Sequence, residues 1–143
     1  MRTDAEIEAL ISAFEACTIP ADDWHHREHL TIAAWYLRRC PRPEASRKMI
    51  DGIGRYNAAK IPGMPKCHVS LTLCWLELIA RFMSGHDRGQ SQAELTGALV
   101  DELCKDPTLS EYGSREWLMS RDSARTWVPP DLKPLVPAFT CDR

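Results

Sequence analysis

The sequence predicts an all-α protein, and three observations predict it. Apolar residues recur at helical spacing in successive segments, with Ile7, Leu10, Ile11, Phe14 and Cys17 the first set. Two segments open on a capping box, Thr3-Asp4-Ala5-Glu6 and Ser91-Gln92-Ala93-Glu94. No stretch of useful length alternates with strand period, and there is no repeat or low-complexity tract. At 143 residues the chain is expected to form one helical domain, 1–143, large enough to bury a core.

The elements follow in order. The first capping box and its apolar set predict a helix over 4–17, ended by Ile19-Pro20. A second helix is expected to run to Arg39, capped by Asp22 or Asp23, with Cys40-Pro41-Arg42-Pro43 as its break. A third begins near Pro43, a residue suited to a first turn, and places Ala45, Met49, Ile50, Ile53 and Tyr56 inward. Gly52 and Gly54 weaken that helix. Ile61-Pro62-Gly63-Met64-Pro65 reads as a loop. The fourth helix, 67–84, is apolar around most of its circumference, with Ser70, Glu77 and Arg81 as its polar strip; such a helix belongs in the middle of a bundle. Gly85 to Gly89 closes it, and the second capping box opens a fifth helix carrying Leu95, Ala98, Leu99 and Leu103. Short helices over 114–119 and 121–128, the latter capped by Ser120, follow Pro107. Pro129-Pro130 stops the last, and the tail 129–143 is expected to be extended.

Composition removes several classes of function. Apolar content of 44% and charged content of 27% are ordinary for a globular chain, and a net charge of −2 offers no footprint for nucleic acid or an anionic membrane. The apolar runs are too short and interrupted to span a bilayer, and the acidic first residues lack the pattern of a signal peptide; a cytoplasmic location is expected. None of the six cysteines forms a Cys-x-x-Cys pair, so free, mostly buried thiols are expected; only Cys67, beside His68, has a functional reading.

The chemistry-bearing residues concentrate in two places. His25, His26 and His29 lie within five residues at the start of the second helix, and His68 opens the fourth. At about 100° per residue, His29 falls about 40° and His26 about 100° from His25, on the apolar face shared with Tyr36. On the fourth helix Thr72 lies about 40° from His68, with Trp75 close by in the same arc. Short loops make consecutive helices antiparallel, so the second and fourth run parallel and begin at the same end of the bundle. The expected result is a histidine-lined pocket between them, with His25, Tyr36 and Thr72 as lining. His26, His29 and His68 are candidate ligands for one divalent metal, Zn, Fe or Mn, with Asp22 or Asp23 adding a carboxylate or orienting a ring. The chain has His-His-Arg-Glu-His and not His-Glu-x-x-His, so no metalloprotease is implied. The pocket would take a small molecule or a metal. The alternative is a non-enzymatic helical interaction module with structural histidines, for which an exposed apolar patch or a homodimer interface, formed by the fifth helix or the tail, is expected.

Three blocks carry a resemblance: Trp24-His25-His26-Arg27-Glu28-His29-Leu30 with Ala33-Ala34-Trp35; Cys67-His68-Val69-Ser70-Leu71-Thr72; and Ser114 to Leu118 with Ala124-Arg125 and Pro130-Asp131-Leu132. Over most of its length the chain resembles an uncharacterised family of small bacterial all-helical proteins with aromatic-x-His-x-x-His-Leu and Tyr-His-Glu-Thr-x-Thr segments. The resemblance brings no activity with it, and it favours His26, His29 and His68 over His25. Two departures accompany it: Cys67 stands for an aromatic residue and Val69 for an acid, so that if the acid is a general base in the family, this chain lacks it.

Other features have plainer readings. His86, among Gly, Asp and Arg, is expected in solvent, and Arg115, Arg121 and Arg125 are expected to pair with Glu116, Asp122 and Asp131. Pro134-Leu135-Val136-Pro137 fits a Pro-x-x-Pro ligand, but a packed tail anchored by Trp117 and Trp127 explains it equally well. No phosphate loop, nucleophile elbow or basic stripe with interleaved aromatics is present.

Overall fold

A computed structural model of the chain describes residues 2–63, 66–104 and 108–135. The structure is 71% helical, and among the described residues there is no strand. Among the described residues seven α-helices follow in order: α1 (Asp4–Glu15), α2 (His26–Arg39), α3 (Arg42–Lys60), α4 (Val69–His86), α5 (Gln92–Leu103), α6 (Arg115–Met119) and α7 (Arg121–Arg125). Met64-Pro65, Pro107 and the tail beyond Leu135, with Cys141, lie outside the described residues.

The capping boxes form as the sequence predicts. Thr3 Oγ1 accepts from the Glu6 backbone N–H while Glu6 Oε1 accepts from that of Thr3, and Ser91 and Glu94 exchange the same pair of bonds. Helix α1 ends two residues early. The Thr18 N–H reaches the Ala13 carbonyl and the Cys17 N–H that of Phe14, which is a Schellman closure with Cys17 at φ 58° in the left-handed position. Asp22 and Asp23 do not cap α2. They fall in a 3-10 turn over Ala21–Asp23, and His25 is the N-cap in extended backbone. The Glu28 carboxylate, 3% exposed, accepts the His25 backbone N–H at 2.9 Å and pairs with Arg2 at 3.0 Å. That bond accepts a donor the helix start would leave unpaired.

Helix α4 lies against α2, α3, α5 and α7, the central place its apolar circumference predicts. Its polar strip is only partly solvated: Arg81 is exposed, but Glu77 and Ser70 are buried. Ser70 is fully buried, its Oγ donating to the Thr126 carbonyl at 2.7 Å and accepting from the Val128 N–H at 2.9 Å. These bonds draw the chain after α7 onto α4, and α7 therefore stops at Arg125 instead of reaching residue 128. Cys74, Leu78, Leu109, Tyr112, Trp117 and Leu135 close a second apolar cluster there, with the Trp117 indole N–H donating to the Val128 carbonyl at 2.9 Å. Asp131 binds the backbone and hydroxyl of Ser114 rather than an arginine, and those bonds hold its carboxyl below the usual range. The described cysteines are all free thiols. No helix among the described residues is long and apolar enough to cross a membrane.

Candidate functional site

A cavity of about 570 Å³ is lined by the N-terminal parts of α2 and α4, the middle and C-terminal part of α3, and α6 and α7. From α2 and its approach come Trp24, His25, His26, His29, Leu30 and Ala33; from α3, Met49, Ile53 and Asn57. From α4 and its approach come Lys66, Cys67, His68, Leu71, Thr72, Trp75, Leu76 and Ile79. Leu118, Met119 and Ala124 form the remaining rim. Four histidines and Thr72 thus share one concavity, because α2 and α4 both begin at it. Its walls are apolar and its rim, at Lys66, His26 and Met119, is exposed.

The four imidazoles differ in what their nitrogens do. His68 is the N-cap of α4, and its Nδ1 accepts the Leu71 N–H at 3.1 Å. Its Nε2 must then be the protonated nitrogen, and it donates to the Leu118 carbonyl at 2.8 Å. Both nitrogens are engaged with backbone, and the ring ties α4 to the end of α6. His29 is arranged in the opposite sense. Its Nδ1 lies 2.8 Å from the His25 carbonyl, which can only accept, so Nδ1 carries the hydrogen and Nε2 the lone pair. No partner meets that Nε2 among the described residues. The ring is held by Trp24 at 4.1 Å between centroids, and Trp24 rests on Tyr56 at 4.4 Å and Phe14 at 5.5 Å. Burial keeps the His29 imidazole below its ordinary value of 6.5, outweighing the carbonyl bond that opposes it. His26 sits edge-on to Trp75 at 4.6 Å, and burial lowers it likewise. His25 points its Nδ1 to Glu28, 3.3 Å away, and is largely exposed.

Tyr36 is not part of this cavity. It shares the angular sector of His29 but lies seven residues further on, about 10 Å along the axis. Its hydroxyl donates to Glu15 on α1 at 2.6 Å, in a separate cleft with Glu44 and Arg47. Burial first, then that carboxylate, pushes the phenol upward. Asp22 and Asp23 also stand outside the cavity, because the 3-10 turn carries them to the exposed side. Cys67 is buried beside it. Burial raises its thiol, and Thr72 Oγ1 at 3.0 Å works against that rise, so the sulfur stays protonated at neutral pH. Among the described residues no three His, Cys, Asp or Glu side chains stand close enough together to hold a metal ion. His86 is exposed, as expected, and stacks on Phe82 at 4.0 Å.

Several wall residues had no local signal in the sequence. Met49 and Ile53 of α3 read as ordinary core, and Leu118, Met119 and Ala124 reach the cavity only through the docking of α6 and α7. Trp75 was visible, since the helical wheel sets it in the arc of His68 and Thr72. No protein-family model, curated protein or solved structure matches this chain.

Proposed function

We propose that the chain binds a small, largely apolar molecule in the histidine-lined cavity between α2 and α4. The observation that carries this reading is the convergence of His26, His29, Thr72 and two tryptophans on one apolar cavity of about 570 Å³. That volume is within the range of about 300–1,000 Å³ typical of ligand pockets, where apolar walls with a few polar groups are the usual composition. Trp24 and Trp75 in the wall supply the readout. Titration with a panel of small apolar compounds is expected to change tryptophan fluorescence saturably. At about 100 times Kd it raises the melting temperature by roughly 5–10 °C. Leu71→Trp, which fills the cavity from α4, removes both effects. A panel that never binds, or binding indifferent to Leu71→Trp, contradicts the reading.

A divalent metal is the less favoured occupant, because His68 could ligate it through Nδ1 only by releasing the Leu71 N–H, and through Nε2 only by releasing Leu118 as well. One full equivalent of Zn, Fe or Mn in protein purified without an affinity tag reverses that preference. A second reading, an interaction module, is favoured by Leu118, Met119 and Leu132, which are 37%, 71% and 61% exposed on the C-terminal segment. It expects a dimer in analytical ultracentrifugation that Met119→Glu dissociates. The resemblance to small bacterial helical proteins assigns no reaction, and none is assigned here.

A further inference from the structure

The polar atoms around the cavity are unequal in what they leave open to a ligand. Both nitrogens of His68 are bonded to backbone, and the Thr72 hydroxyl lies against the Cys67 sulfur. His29 differs, because the His25 carbonyl fixes its tautomer and leaves Nε2 as a bare acceptor. Trp24, braced by Tyr56 and Phe14, both fully buried, fixes where that acceptor stands. A rigid acceptor in an apolar wall selects a donor. At His29 an anion would meet the lone pair instead of a hydrogen, and it would lose its water to apolar walls, with Lys66, exposed at the rim, the one lysine or arginine lining the cavity among the described residues.

We infer that the molecule bound in this cavity is uncharged and apolar, and carries one hydroxyl or N–H group that it donates to Nε2 of His29. The inference rests on the small-molecule reading above and narrows its ligand class. His29 is thus a specificity-determining residue, and Trp24 positions it.

The test uses three probes of matched size on the full chain: 1-naphthol, its methyl ether and 1-naphthoate, compared by isothermal titration calorimetry at pH 7.5. Naphthol is expected to bind about fivefold or more tighter than the ether, the yield of one hydrogen bond of about 1 kcal/mol. Naphthoate is expected to bind weakest. In His29→Phe the gap between naphthol and ether closes while the ether keeps its affinity. A nitrogen-15 spectrum of the wild-type imidazoles gives a second readout that needs no variant. His29 is expected as the Nδ1–H tautomer, with the Nε2 resonance moving when naphthol is added. Equal affinities for naphthol and ether, tightest binding of naphthoate, or an unmoved Nε2 resonance would each overturn the inference while leaving the pocket itself standing. Binding of none of the three probes, alongside a silent fluorescence panel, removes the pocket as well.

Discussion

At the scale of single residues, the histidines divide by the groups their ring nitrogens meet. His68 caps a helix and ties two elements together, so His68→Ala removes an N-cap worth about 1 kcal/mol and the link to Leu118. We expect a total loss of about 1–2 kcal/mol in urea unfolding, with His68→Asn recovering the cap but not the link. Equal stability of the alanine and wild-type proteins contradicts this assignment. His26 and His29 have a different signature. Burial of His29, and the partial burial of His26 at the exposed rim, lower both in the folded state, while the unfolded chain keeps ordinary values near 6.5. Below that pH the unfolded state takes up protons that the folded state resists. Their contribution is therefore complete above about pH 6.5 and is lost as the pH falls toward the folded values. Melts at about pH 7.5 and 5.5 are expected to show this decline, and His29→Gln to make it shallower. A slope unchanged by that substitution means His29 does not contribute.

At the scale of elements, the two glycines of α3 separate two effects that composition alone merges. A Cβ on Gly52 would sit 2.5 Å from the Phe14 ring, which is fully buried and stacked on Trp24. Gly52 is thus the notch that lets α1 and α3 approach. A Cβ on Gly54 meets nothing nearer than the Cys67 backbone nitrogen at 4.0 Å. Gly54→Ala is expected to stabilise by up to about 1 kcal/mol through helix propensity. Gly52→Ala loses about 1–3 kcal/mol to overpacking, which outweighs the same propensity gain. Denaturant midpoints that move the same way for both variants refute this contrast. Helix ends show a related limit of local reading. Asp22 and Asp23 are good capping residues by type, yet His25 takes the cap because Glu28 reaches back to its backbone and anchors Arg2.

At the scale of the whole molecule, the cavity exists because the C-terminal segment is fastened across α4. Ser70 holds it through Thr126 and Val128, and Trp117 and Leu135 complete the apolar cluster beneath. Ser70→Ala leaves the Val128 N–H and the Thr126 carbonyl without this partner, at about 1–3 kcal/mol. The expected consequence is regional. Amide exchange should accelerate over residues 115–128 and at the cavity rim, while α1 and α5 keep their protection. Uniform acceleration through all helices would show that the segment is not a separate unit.

Helix order, the capping boxes, the central place of α4 and the placing of His29 and His68 on one cavity were legible in the chain, because each depends on local spacing and on short loops that force neighbouring helices to reverse. From the residues alone follow an all-helical chain and four of its five imidazoles at one end. Tertiary structure alone decided which ring nitrogen carries a hydrogen, that Tyr36 faces Glu15 instead of the cavity, and that α6 and α7 complete the rim. The reason is physical: helical periodicity sets an angle around an axis, but not how far along it a partner lies. A histidine's role depends on which donor or carbonyl, up to 50 residues away, packs against it.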